Sequence, residues 1–76
     1  MVKNRIGTTV KERRKALGIT QHELAQKAGV GLRFIRDLEQ GKPTVQVDKV
    51  NQVLFMFGLE LGAVPLDRER LLHEKS

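Results

Sequence analysis

Arg33, Arg36 and Asp37 fall within five positions of one another, interleaved with apolar Ile35 and Leu38 at intervals that put the two sets on opposite sides of a helix. A guanidinium is a planar fork of donors that matches the O6 and N7 acceptors of guanine, so Arg33 is the first candidate for contact with base edges. Leu32 beside it can meet a thymine methyl, and Arg36 lies one turn further on. Asp37 can accept from a cytosine amine. A carboxylate close to phosphates is costly unless paired, however, and an i, i+4 pair with Arg33 is its competing role.

A second group has the chemistry of backbone phosphate contacts, which fix register without reading sequence. Gln21 sits in the first turn of a helix whose free amides can hold a phosphate oxygen. Gly31 stands at the start of the next helix, and Lys42 and Thr44 follow its end as candidates for a flanking phosphate. Simple solvent exposure is the plainer role for each. Six cations between Lys3 and Lys15, against the single acid Glu12, read chiefly as a solvated helix face, with phosphate contact as the sharper alternative. No catalytic constellation competes: His22 and His73 are the only histidines, in a first helical turn and a charged tail, and no glycine-rich loop follows a strand. An enzyme is not expected, nor a metal or other cofactor.

These side chains need a frame. Thr20 and Glu23 form a capping box that starts a helix carrying Leu24, Ala25 and Ala28 on one face. Gly29 permits the positive φ that ends it, Val30 plugs the corner, and Gly31 opens the next helix, which Gly41 closes. Two helices at this spacing make a helix-turn-helix, and the second of the pair fits the major groove. Ahead of them a helix from Lys3 to Leu17 turns Ile6, Val10 and Leu17 inward and stops at Gly18. After the connection KPTVQ, whose Pro43 forbids helix at Lys42, a further helix runs from about Val47 to Phe57. Its stripe of Val47, Val50, Val53, Leu54 and Phe57 must pack against the first and third helices, and Gly58 ends it. From 59 to 64 the residues Leu59, Leu61 and Ala63 alternate with Glu60, Gly62 and Val64, the pattern of a strand ended by Pro65. A lone strand has no ladder, and pairing with the same strand of a second subunit about a two-fold axis would satisfy it, which predicts a homodimer. Residues 1–66 make one domain and 67–76 a charged, flexible tail.

Composition sets the bounds. Seventy-six residues are near the size at which one core supplies about 3–5 kcal/mol, so help from a partner subunit is reasonable. The chain is 39% hydrophobic and 30% charged, as in an ordinary globular protein. It has neither a membrane-spanning apolar run nor a signal-peptide core, and a cytoplasmic location is expected. The net charge of +5 favours a polyanionic partner. With no cysteine, disulfides and thiolate sites are excluded.

The run ITQHELAQKAGVGLRFIRDLEQGKPTVQVDKVNQVL resembles the XRE/Cro-type helix-turn-helix family, and the following FGLELGAVP narrows the likeness to HipB-like antitoxins. The resemblance implies an all-α, lambda-repressor-like domain of about four to five helices with a short C-terminal strand pairing across a dimer. It implies double-stranded DNA with a palindromic operator as ligand, repression of the protein's own toxin-antitoxin operon, and a HipA-type serine/threonine kinase toxin as partner. By the same resemblance Arg14 and Glu39 form a structural ion pair between the first and third helices, which is preferred to phosphate binding for Arg14. Gln21, Leu32 and Arg33 fall where relatives touch DNA. Gly31 departs from the serine or threonine that usually caps the reader, and Leu32 from a polar base contact. The function expected is a sequence-specific repressor; the alternative is a protein-interaction module that neutralises such a kinase or another regulator, with DNA binding secondary.

Overall fold

The computed structural model describes residues 5–42 and 46–65. Four helices follow one another, α1 (Ile6–Ala16), α2 (Gln21–Ala28), α3 (Leu32–Glu39) and α4 (Val47–Phe55), and no strand occurs among the described residues. Val10 of α1, Leu24 of α2, Ile35 and Leu38 of α3, and Val50 and Val53 of α4 are fully buried in one cluster. The core therefore sits where the four helices converge. None of the described helices is long and apolar enough to cross a membrane.

The start of α2 follows from its local sequence. Thr20 is extended, its Oγ1 accepts from the Glu23 amide at 3.0 Å, and its own amide donates to Glu23 Oε1 at 2.9 Å. These bonds favour the ionised Glu23 carboxylate and hold its pKa below the ordinary value, the Thr20 backbone amide first and its side chain second. A carboxyl whose pKa is lower in the folded state adds stability above its unfolded pKa and loses it as pH falls through the folded one. Urea denaturation of wild type and Glu23→Gln should accordingly differ at neutral pH and converge in acid. Thr20→Ala should cost about 1 kcal/mol, the usual worth of such a cap. At the other end Gly29 takes φ 75°, a left-handed conformation that turns the chain into α3.

Gly31 enters α3 in extended conformation and contributes no side-chain cap. The helix ends in a Schellman motif: the Lys42 amide donates to Asp37 O and the Gly41 amide to Leu38 O, each at 3.1 Å, with Gly41 at φ 79°. Lys42 is thereby fixed beside the last turn of α3.

Several expectations are corrected. Leu17 and Val47 are each 62% exposed and belong to no buried stripe, because Leu17 lies just past the end of α1 and Val47 at the very start of α4, both outside the edge of the core. Ile19, not Leu17, packs against the cluster from the turn after α1. The regular part of α4 stops at Phe55 instead of Phe57, since the amides of Met56, Phe57 and Gly58 bond three residues back and tighten the last turn. The principal neighbour of α4 is α2, not α1 and α3, and Gln52 Nε2 donates to Ala28 O at 3.2 Å across that contact.

Residues 59–65 form no strand in the single chain, which offers them no ladder. Leu59 and Leu61 do turn toward the core, and the Leu61 amide donates to Asn51 Oδ1 at 2.8 Å, but Ala63 is exposed and breaks the alternation. The contacts expected of Thr44 and the tail at 67–76 lie outside the described residues.

Candidate nucleic-acid interface

One ion pair ties the elements behind the interface together. Arg14 Nε and Nη2 donate to Glu39 Oε2 and Oε1 at 2.8 and 3.1 Å, and Arg14 Nη1 donates to Ile19 O at 2.9 Å. The two-pronged geometry suits a planar guanidinium, and the Glu39 side chain is only 3% exposed. Hydrogen bonding to Glu39 raises the Arg14 pKa above its already high ordinary value, so the guanidinium keeps its charge. These bonds join α1, the turn before α2 and the end of α3.

Gln21 Nε2 also donates to Glu39 Oε1, at 3.1 Å. The side chain is half-buried at this joint, with a second amide hydrogen and its carbonyl oxygen uncommitted. Gly7 marks how tightly α1 and α3 meet, because a Cβ at this buried position would collide with the Leu38 carbonyl.

The outward side of α3 is polar and open. Arg33, 86% exposed, stands 3.8 Å from Asp37 Oδ2, while Lys42 Nζ approaches Asp37 Oδ1 to 3.2 Å. Exposed pairs of this kind contribute little to stability. Asp37 is thus placed between two cations, and the alternative of an intrahelical pair with Arg33 corresponds to its longer contact. Arg36 is exposed on the same side. Leu32 is half-buried against the core cluster, with only part of its side chain left for a thymine methyl. Since Gly31 provides no side-chain cap, the first amides of α3 keep their capacity to bind an anion.

Arg33, Arg36, Asp37, Gln40 and Lys42 together line a shallow depression of about 240 Å³. Gln40 was not among the residues singled out by sequence, although the spacing 33, 36, 37, 40 is that of one helical face. Among the described residues no three acidic, histidine or cysteine side chains converge as metal ligands.

The helix-turn-helix family model matches residues 10–62, most of the chain. The chain belongs to the helix-turn-helix family. The match takes in α2, α3, α4 and the second half of α1, so it contains every element that frames the depression. Over 56 residues, 74% of each chain, the protein is 55% identical to a relative named as the uncharacterized HTH-type transcriptional regulator y4mF of Sinorhizobium fredii. Membership makes this a DNA-binding helix-turn-helix domain and not an enzyme, with α2 and α3 as the two helices of the pair.

Proposed function

We propose that this helix-turn-helix protein is a dimeric, sequence-specific transcriptional repressor of the HipB-like antitoxin type. The observation that carries the reading is the contrast between the two sides of α3. Ile35 and Leu38 are buried and Glu39 is locked to Arg14, while Arg33 and Arg36 are exposed to enter a groove, Arg33 with only a long contact to Asp37. In the complex Arg33 reads base edges, with Leu32, Arg36 and Asp37 as its neighbours. Gln21, Gly31, Lys42 and Thr44 hold phosphates on either side. The name of the relative supports a role in transcription.

The second subunit pairs through residues 59–64, where the Leu59 and Leu61 amides bond within the chain and the backbone groups on the other edge are left for another chain. Such a dimer sets its reader helices about 34 Å apart, one turn of DNA. The likeness of FGLELGAVP to the HipB-like branch adds a HipA-type kinase toxin as partner, and co-purification with a kinase-like protein encoded next door tests that part.

Selection of bound duplexes from a random pool at stated salt tests the whole. The expected product is a two-fold site with half-sites one helical turn apart. A pool that shows no enrichment at low salt overturns the reading. Removal of residues 59–76 should give a monomer in sedimentation, and an unchanged dimer excludes the strand's role.

A further inference from the structure

We infer that Lys11 and Lys15 of α1 form a second phosphate-binding track, outside the helix-turn-helix pair, that extends the DNA footprint along the first helix. The inference rests on the DNA-binding reading above and assigns it residues that neither the motif nor the resemblance singles out.

Lys11 and Lys15 are four residues apart on one exposed face of α1. Like charges at this spacing are mutually repulsive on a helix, so their juxtaposition is not explained by stability. Neither lysine takes part in any of the ion pairs among the described residues, where Arg14, Arg33 and Lys42 all do. Both ammonium groups therefore remain uncommitted at the end of flexible stems, the condition in which a lysine meets a phosphate as a point charge.

Their surroundings give the pair a direction. Together with the Thr8 hydroxyl and the Gln40 side chain they line a half-open groove of about 390 Å³ between α1 and the end of α3. Gln40 is also a wall of the depression that holds Arg33, Arg36 and Lys42. The groove therefore adjoins the reader face across Gln40, and a backbone that leaves that face on this side would meet the two lysines. Glu39, at the bottom, is neutralised by Arg14 and repels little. Glu12 is the one free carboxylate on the rim and opposes the two lysines.

The test is the salt dependence of binding to a selected duplex by Lys11→Gln/Lys15→Gln, with Lys27→Gln/Lys49→Gln as a control that removes the same charge from α2 and α4. Each phosphate contact contributes about 0.9 to the slope of log K against log salt, so the α1 variant should lose about 1.8 while the control keeps the wild-type slope. Discrimination between the selected duplex and a scrambled one should be unchanged, because lysines on phosphates carry no sequence information. Glu12→Gln should tighten binding at low salt. Thermal melting of each variant establishes that it is folded. An unchanged slope in the α1 variant, or an equal loss in the control, overturns the inference and leaves α3 as reader. A wild-type protein that binds no duplex overturns the DNA reading itself.

Discussion

Arg33→Ala should, on the proposed reading, lose discrimination at one base pair of each half-site while the protein folds as before. The side chain is almost fully exposed and its 3.8 Å approach to Asp37 is too long and too wet to support the helix, so stability should change by no more than about 0.5 kcal/mol. A bidentate arginine on guanine is worth roughly 1–3 kcal/mol of discrimination, about 5- to 150-fold at a single position. The measurement is the ratio of affinities for the selected duplex and for one altered at the base pair that Arg33 faces. Arg33→Lys separates charge from geometry: an ammonium restores the electrostatic attraction and the salt slope but cannot reproduce the fork, so selectivity should stay low. Full selectivity in Arg33→Ala would remove the residue from the reading role and move attention to Arg36 and Gln40.

The parts of this interface that could be read in the sequence are those set by neighbours along the chain. Thr20 and Glu23 are three residues apart and make their bonds within one helical turn. Gly29 and Gly41 take positive φ for reasons confined to a helix end. Periodicity gave the phase of each helix but not the place where the core stops, which is why Leu17 and Val47 were assigned inward and are exposed. Nothing local reveals Gly7, whose lack of a side chain lets α1 approach the Leu38 carbonyl. The Gln21 contact with Glu39 spans 18 residues and was equally hidden, so a side chain read as pointing to phosphate proves to be half-engaged at the helix joint. The Arg14 and Glu39 positions were linked by resemblance alone, since 25 residues separate them and no spacing rule connects such a pair. At 59–64 the alternation gave the inward Leu59 and Leu61, while the bond from the Leu61 amide to Asn51, 10 residues away, had no local signal.

Glu39→Ala should be the most damaging single substitution on the functional side of the molecule, although residue 39 touches no DNA in the reading above. The change leaves the Arg14 guanidinium, itself largely buried, with the Ile19 carbonyl as its remaining partner, and leaves the Gln21 amide without its acceptor. Breaking one side of a fully buried pair costs about 3–5 kcal/mol, and this part-buried pair falls at or below the lower end of that range. That is a large part of the entire stability of about 3–5 kcal/mol expected for a core of this size. The variant should therefore be only marginally stable at 25 °C, and more stable when DNA is added, since a ligand that binds the folded state alone draws the equilibrium toward it. Removing both charges together, as in Arg14→Met/Glu39→Leu, leaves no orphaned charge, only the Gln21 amide and the Ile19 carbonyl without their partners, and should cost less than the two single changes combined. Urea denaturation of wild type, Arg14→Met, Glu39→Leu, the double variant and Glu39→Ala checks the expectation, and a Glu39→Ala midpoint equal to wild type would show that the pair does not hold α1 to α3. The double variant also separates frame from contact. If Arg14 serves only the frame, DNA binding by the folded double variant keeps the wild-type salt slope, because the guanidinium that was removed had been spent on Glu39 and not on a phosphate.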